Sequence, residues 1–143
     1  MNIYTIGFAQ KSAEDFFKLL TDNGVKKLID IRLNNKSQLA GFANAKHLPY
    51  FLKLHNIEYE YKTELAPSKE LLDGYKKKEI DWEEYEKIYK KILIDRDILN
   101  KVSQNELDSS VLLCSEPTAE QCHRRLAAEY LAKNFNNLKI KHL

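Results

Sequence analysis

Residues 112 to 131 read LLCSEPTAEQCHRRLAAEYL and contain both cysteines of the chain, one of its four histidines and a pair of arginines. Apolar residues lead into Cys114, which predicts a strand that ends at this cysteine. A turn and then an amphipathic helical pattern follow the strand. The segment therefore predicts a strand, a turn and a helix, with both thiols close to the turn.

The same alternation of strand and helix runs along the whole chain. Strands are predicted at 2–6, 25–33, 57–61, 109–114 and 138–143. Helices are predicted within 12–24, 47–56 and 67–75, from Asp81 onward and after Pro117, while 34–43 reads as an exposed loop. Alternating elements predict an α/β fold, a three-layer Rossmann-like domain with a mostly parallel sheet of about five strands and helices on both faces. We expect residues 1–143 to form a single domain, with the strand at 3–6 in the centre of the sheet.

Composition and charge narrow the classes of function. The 143 residues are 43% hydrophobic and 31% charged, which is ordinary for a globular protein, and the net charge is only +2. A nucleic-acid partner is possible, but this charge does not indicate one. The N-terminus lacks a signal-peptide pattern, and no stretch approaches the roughly 18 apolar residues of a membrane helix. We therefore expect a cytoplasmic protein with no membrane contact and with both thiols reduced.

Polar side chains follow the ends of several predicted strands. Gly7 follows the first strand, Asp30 and Arg32 end the second, and Cys114 and Glu116 end the fourth. Ligands of open α/β sheets bind at the carboxyl ends of the strands, so this edge is the expected site. Asp30 and Arg32 are two residues apart and lie on the same side of their strand. They are either a structural ion pair or a clamp for an anionic ligand.

The turn after Cys114 predicts a helix start that favours negative charge. Thr118 and Gln121 match a capping box, which places Cys122 at about the fourth helical position. Free backbone amides there bind anions and lower the pKa of a thiol. Each cysteine is either a buried apolar residue or a nucleophile. A metal site is not predicted, because seven residues separate the two cysteines, unlike the short spacing of zinc knuckles.

Arg124 is an unusual residue for the start of a helix, where the helix dipole disfavours a cation by up to about 1 kcal/mol. A carboxylate or a bound anion would offset this cost. We therefore expect Arg124 to point toward the strand-end pocket and to pair with Glu116, with Asp30 or with a bound anion.

Four segments of the chain resemble the domain of unknown function 488 family. They are YTIGFAQKSAEDFFKLL, LIDIRLNNKSQLAGFA, HNIEYEYKTELAP and LLCSEPTAEQCHRRLAAEYL. They match the family's T-I-G turn, its D-[VI]-R strand end, its G-I-x-Y strand and its C-x-E…C-H-R element, in the same order. Two departures are visible: Phe8 stands where the family usually has histidine, and the loop after Arg32 lacks the frequent proline and arginine.

The resemblance and the strand-end pattern together give a set of candidate residues. The family pattern corresponds here to Thr5, Gly7, Asp30, Arg32, Ser37, Cys114, Glu116, Cys122, His123 and Arg124. We expect an enzyme that acts on a small anionic substrate, nucleotide-like or phosphorylated, with a reaction type that the sequence does not specify. Catalytic candidates are Cys114 or Cys122 as nucleophile and Glu116 or Asp30 for proton transfer. Ligand-binding candidates are Thr5, Gly7, Arg32, Ser37, His123 and Arg124. The alternatives are a non-catalytic module that binds a ligand or nucleic acid, and a structural or interaction domain.

Overall fold

Five strands form one parallel sheet in a computed structural model that describes residues 1–36, 41–116 and 118–143. The strands are β1 (Asn2–Gly7), β2 (Lys27–Asp30), β3 (Glu58–Tyr61), β4 (Ser110–Cys114) and β5 (Lys139–His142). Their order is β3-β2-β4-β1-β5, and every neighbouring pair is parallel. The predicted mostly parallel sheet of about five strands is confirmed.

Seven α-helices lie in the described residues. They are α1 (Ala13–Asp22), α2 (Leu48–Leu54), α3 (Lys69–Lys76), α4 (Trp82–Asp95), α5 (Ile98–Lys101), α6 (Gln104–Leu107) and α7 (His123–Asn134). Short 3-10 helices cover Gly41–Ala43 and Thr63–Leu65. Ser12, Ser68 and Asp81 each accept a hydrogen bond from a backbone N–H three residues later and are the N-caps of α1, α3 and α4.

The helices cover both faces of the sheet. On one face, Ile29 and Leu112 pack with residues of α3 to α7. On the other face, Leu28 and Val111 pack with residues of α1 and α2. Adjacent strand residues thus face opposite cores, as the alternation of a strand requires. The three-layer α/β architecture is confirmed.

The central strand is β4, and the prediction that the first strand is central is wrong. All five residues of β4 are buried, and β4 lies between β2 and β1. A strand covered on both faces reads as a continuous apolar run, which suits the sequence SVLLC better than the N-terminal strand. β1 is still an interior strand, because it pairs with β4 on one side and β5 on the other.

Several boundaries differ from the prediction. β2 ends at Asp30, earlier than the apolar pattern indicates, and Arg32 lies just after it. The helices α5 and α6 have four residues each, too few to produce a helical period in the sequence. The predicted exposed loop at 34–43 includes two buried residues, Asn35 and Ala43, and its residues 37–40 lie outside the described residues. No helix within the described ranges is long and apolar enough to span a membrane.

Asn56 ends the connection from α2 to β3 in a left-handed conformation. Its φ is 59°, and its N–H donates to the carbonyl oxygen of Lys53 in the last turn of α2. Glycine occupies the corresponding position of the G-I-x-Y pattern, which is consistent with a backbone conformation that most residues adopt at a cost. Asparagine is one of the few side chains that tolerate it.

We predict that Asn56→Ala lowers the free energy of unfolding by about 1 kcal/mol, because alanine is strained in this conformation. Asn56→Gly is the matched control and should leave stability unchanged or raised. Urea unfolding measures both. Equal stability of the alanine and glycine variants would contradict the left-handed assignment.

Candidate functional site

The ends of β1, β2 and β4 meet at one edge of the sheet. Gly7 and Cys114 are register partners, and the N–H of Ile31 donates to the carbonyl oxygen of Leu113. A cavity of about 1200 Å³ opens at this edge. Its walls come from the segments after the three strands, from the start of α7 and from the facing ends of α3 and α4.

Two thiols and an imidazole lie together in the wall of this cavity. Cys114 ends β4, and its side chain lies on the α7 side of the sheet, as that of Leu112 does. Cys122 precedes α7, and its sulfur lies 2.7 Å from that of Cys114, with the Cys122 thiol as the donor. The Nδ1 of His123 lies 3.5 Å from the Cys114 sulfur. All three side chains are buried and line the cavity.

The imidazole of His123 is oriented by the backbone. Its Nε2 lies 2.8 Å from the carbonyl oxygen of Ile31, which can only accept a hydrogen bond. Nε2 therefore carries the proton in the neutral ring, and the lone pair of Nδ1 faces Cys114. This arrangement lets the ring accept a proton from a neighbouring thiol.

The surroundings shift the pKa values of the two thiols in opposite directions. Burial raises the pKa of Cys114, whereas the hydrogen bond from Cys122 lowers it. The backbone N–H groups of Glu116 and Ser115 and the charge of Arg124 lower it too, and the net shift of the Cys114 pKa is downward. The hydrogen bond to Cys114 and burial both raise the pKa of Cys122 well above its usual range. Cys114 is therefore the more acidic thiol of the pair, and the Cys122 thiol donates the hydrogen bond between them.

The helix that follows begins later than the capping box predicts. α7 starts at His123, and Cys122 is its N-cap residue with extended backbone (φ −137°, ψ 140°). The prediction that Cys122 lies at the fourth helical position is therefore wrong. Gln121 does not reach back to Thr118, because its side-chain oxygen accepts a hydrogen bond from the hydroxyl of Tyr75 in α3.

Arg124 is completely buried behind the cavity wall. Its Nη1 donates to the backbone carbonyl oxygen of Glu116 at 2.5 Å, and its Nε has no hydrogen-bond partner among the described residues. The predicted pairing with the carboxylate of Glu116 or Asp30 is wrong. Asp30 is already paired with Arg32, and the main chain of Glu116, not its side chain, reaches the guanidinium. Arg124 thus fixes the turn that follows Cys114.

Gly7 makes this arrangement possible. A Cβ atom at position 7 would lie 1.6 Å from the carbonyl oxygen of Glu116 and 2.4 Å from Nη1 of Arg124. No side chain larger than hydrogen fits between the end of β1 and the turn. The tight T-I-G turn is therefore a packing requirement of the turn after β4.

Asp30 and Arg32 form a buried bidentate ion pair. The Nε and Nη2 of Arg32 donate to the two carboxylate oxygens of Asp30, each at 2.8 Å. The hydroxyl of Tyr59 donates to the same carboxylate at 2.7 Å, and the ring of Phe8 lies 5.4 Å from the guanidinium carbon of Arg32. Arg32 lines the cavity but Asp30 does not. Within the described ranges, Nη1 of Arg32 makes no hydrogen bond, so it is the donor left for a ligand.

The remaining candidates are placed differently. Glu116 is exposed in the cavity wall. Thr5 is buried away from the cavity, and its hydroxyl lies 2.6 Å from Nδ1 of His142 in β5. Ser37 lies outside the described residues. The strand ends thus bring together Gly7, Arg32, Cys114, Glu116, Cys122, His123 and Arg124.

The thiol–imidazole cluster also has the donor set of a soft metal ion. The ligand atoms of Cys114, Cys122 and His123 lie within 4.8 Å of one another. Two thiolates and one imidazole, with the fourth position open to a cavity, are a known zinc ligand set. The hydrogen bond from Nε2 to a carbonyl is the usual support for a metal-binding histidine. These three residues are the ones that could hold such an ion.

One family model matches the chain. It is the domain of unknown function DUF488, and it matches residues 12–131. The chain belongs to the DUF488 family. No curated protein and no solved structure matches the chain. The DUF488 match includes Cys114, Cys122, His123 and the Asp30–Arg32 pair, whereas Thr5 and Gly7 precede it.

Sequence reasoning missed one wall of the cavity in this DUF488 protein. The aromatic side chains of Tyr75, Trp82 and Tyr85 line it, and the rings of Trp82 and Tyr85 are stacked with centroids 4.8 Å apart. Trp82, Tyr85 and Tyr89 form a stripe at helical spacing along α4, and Tyr85 and Tyr89 are buried. Only the docking of α3 and α4 across the strand ends reveals that the first turn of this stripe faces a cavity.

We predict that Gly7→Ala lowers the free energy of unfolding by about 3 kcal/mol, because the new methyl group must displace backbone atoms of Glu116. Gly74→Ala is the matched control. Gly74 lies within α3, and a Cβ atom there would be 3.9 Å from the nearest atom, so stability should be unchanged or raised. Thermal or urea unfolding of both variants measures this difference. A Gly7→Ala variant as stable as Gly74→Ala would show that the turn does not approach β1 this closely.

Proposed function

We propose that this DUF488 protein is an enzyme that acts on a small anionic, nucleotide-like substrate and uses Cys114 as its nucleophile. The observation that carries the proposal is the cluster of Cys114, Cys122 and His123 in the wall of a large cavity at the strand ends. Open α/β sheets bind ligands at this edge. A buried cluster of ionisable groups with shifted pKa values that faces a cavity is a general mark of an active site.

The choice of nucleophile follows from the acidity of the two thiols. A thiolate attacks, whereas a thiol does not. The pKa of Cys114 is lowered and that of Cys122 is raised, so Cys114 ionises more readily than Cys122. The amides of the turn and the charge of Arg124 stabilise the thiolate form of Cys114 without contacting the substrate. Arg124 is therefore a positioning residue and not the ligand-binding residue that its sequence position suggests.

The cavity offers cations for an anionic group. Arg32 lines it, and so does Lys11 in the segment after β1. Burial and the nearby charge of Arg124 lower the pKa of Lys11. The ion pair with Asp30 holds the guanidinium of Arg32 in one orientation, which lowers the entropic cost of binding a planar anion such as phosphate or carboxylate. Asp30 thus acts by orienting Arg32.

The aromatic wall supports a nucleotide-like substrate. The rings of Trp82, Tyr85 and Tyr75 line the same cavity as the cations. Bases stack on such surfaces with a gain of about 1–3 kcal/mol for each base. A ligand with both an aromatic ring and an anionic group matches these two kinds of lining residue.

Two groups in the cavity can transfer protons. The Glu116 carboxylate is exposed there and can exchange protons with the substrate or with water. The Nδ1 of His123 is beside the thiols and can take a proton from either of them. Glu116 is the candidate that touches substrate, because the Asp30 carboxylate is committed to Arg32 and Tyr59.

We predict that Cys114 reacts with iodoacetate and with iodoacetamide faster than glutathione does at neutral pH. The increase in rate over glutathione should be larger for iodoacetate, because it is anionic. Adenosine monophosphate should protect Cys114. Arg32→Lys should weaken this protection about tenfold, because the planar fork is lost while the charge remains. Peptide mass spectrometry of the alkylated protein over time gives the rates for each cysteine.

Arg125→Lys is the matched control, because Arg125 pairs with Glu86 and Glu129 outside the cavity. Its protection should equal that of the wild-type protein. If Arg32→Lys unfolds the protein, Lys11→Gln tests the same cationic wall. If both thiols react slowly with the alkylating agents, and the protein still binds the nucleotide after its thiols have been blocked, the enzyme proposal is contradicted and a binding module is indicated. Slow thiols without any binding would indicate a structural domain.

A further inference from the structure

The nucleophile proposed above accounts for one thiol and leaves the second unexplained. Cys122 is the N-cap residue of α7, where serine, threonine, aspartate and asparagine are preferred. Its side chain makes no capping hydrogen bond. The thiol points instead at the sulfur of Cys114, 2.7 Å away, and both cysteines are free. The side chain of Cys122 therefore contacts Cys114 and does not cap the helix.

The surrounding backbone holds the two sulfur atoms together. Cys114 is fixed by its strand pairing with Gly7. Cys122 is fixed by the start of α7 and by the Arg124 contact that ties this helix to Glu116. A disulfide has a sulfur–sulfur distance of about 2.05 Å, so joining the two thiols requires a side-chain movement of less than about 1 Å. Both sulfur-bearing side chains line the cavity, which gives a small reactant access to them.

We propose that Cys114 and Cys122 form a redox-active dithiol that reduces a small anionic disulfide bound in the cavity. The proposal rests on the proposed role of Cys114 as nucleophile, adds Cys122 as the resolving thiol, and specifies the reactive group of the anionic substrate as a disulfide, which a nucleotide-like molecule can carry. The substrate class is a compound with an electrophilic sulfur–sulfur bond and an anionic group, which the cations at Arg32 and Lys11 would bind.

The reaction proceeds in two displacements. The Cys114 thiolate attacks one sulfur of the substrate disulfide, a mixed disulfide forms, and the first substrate thiolate leaves. The Cys122 thiol then gives its proton to Nδ1 of His123 and attacks the Cys114 sulfur. The mixed disulfide breaks, the Cys114–Cys122 disulfide forms, and the second substrate thiolate leaves. The two leaving thiolates are protonated by His123 and by water. The protein loses two electrons and the substrate gains them, and an external dithiol returns the protein to its starting state.

The geometry of the groups matches the order of these steps. The Cys122 thiol donates its hydrogen to the Cys114 sulfur, so Cys114 is the attacking sulfur and Cys122 lies beside it to resolve the mixed disulfide. The ligand atoms of Cys114, Cys122 and His123 all lie within 4.8 Å of one another, so the base is in reach for the second step.

The test uses glutathione disulfide, which is small and anionic, with chelator-treated full-length protein and mass spectrometry. The wild-type protein should lose two hydrogen atoms in mass and show a Cys114–Cys122 link after proteolysis. Cys122→Ser should stop at one glutathione bound to Cys114. Cys114→Ser should react at least about tenfold more slowly, because the remaining thiol is mostly protonated at neutral pH. Dithiothreitol should restore the starting mass.

The failures of the two proposals are distinguishable. A wild-type protein that keeps one bound glutathione and never forms the internal link would overturn the dithiol proposal and leave Cys114 as the nucleophile. A Cys122→Ser variant whose Cys114 reacts with neither glutathione disulfide nor iodoacetamide would overturn the proposed function as well. Stoichiometric zinc in the purified protein, with thiols that resist glutathione disulfide until a chelator removes it, would overturn the dithiol proposal in favour of a metal centre.

Discussion

The hydrogen bond from Nη1 of Arg124 to the carbonyl oxygen of Glu116 is the contact on which the strand-end site depends. It joins the start of α7 to the turn after the central strand, and the absence of a side chain at Gly7 leaves room for it. The N–H of Ala9 also donates to the carbonyl oxygen of Ser115, so the segment after β1 helps to hold the same turn. With the turn held there, its amides lower the pKa of Cys114, and the sulfur of Cys122 lies 2.7 Å from that of Cys114.

The same contact holds the positive charge of Arg124 in the protein interior. A buried guanidinium is costly unless negative charge lies near it, and Arg124 has no carboxylate partner among the described residues. The charge of Arg124 contributes to lowering the pKa of the Cys114 thiol, and ionisation of Cys114 would place a negative charge near this guanidinium. The second arginine of the site is neutralised differently, since Asp30 pairs with Arg32 directly. Arg124 therefore lowers the pKa of a thiol, whereas Arg32 provides a hydrogen-bond donor in the wall of the cavity.

The sequence predicts the fold better than the side-chain pairings. Alternating patterns locate the five strands, and the end of each strand marks the edge where Gly7, Arg32 and Cys114 meet. The hydrogen-bond partner of Arg124 is not predictable from its neighbours in sequence. Backbone carbonyls compete with carboxylates for the guanidinium, and every residue has a carbonyl, so residue types do not reveal the partner. The start of α7 is mispredicted for a related reason. Thr118 and Gln121 match a capping box, but a tertiary hydrogen bond from Tyr75 takes the glutamine side chain. The aromatic wall depends on how α3 and α4 dock, which the local pattern does not contain.

Despite its burial, the Cys114 thiol has a lowered pKa because of the hydrogen bond from Cys122, the amides of the turn and the charge of Arg124. Ultraviolet titration of the thiolate in the folded protein tests it most directly, with Cys114→Ser as the reference that removes the signal. We expect one thiol to ionise clearly below the usual cysteine pKa of about 8.5, and this step to be absent from Cys114→Ser. Ionisation of both thiols at or above that value in the folded wild-type protein would contradict a lowered pKa of Cys114.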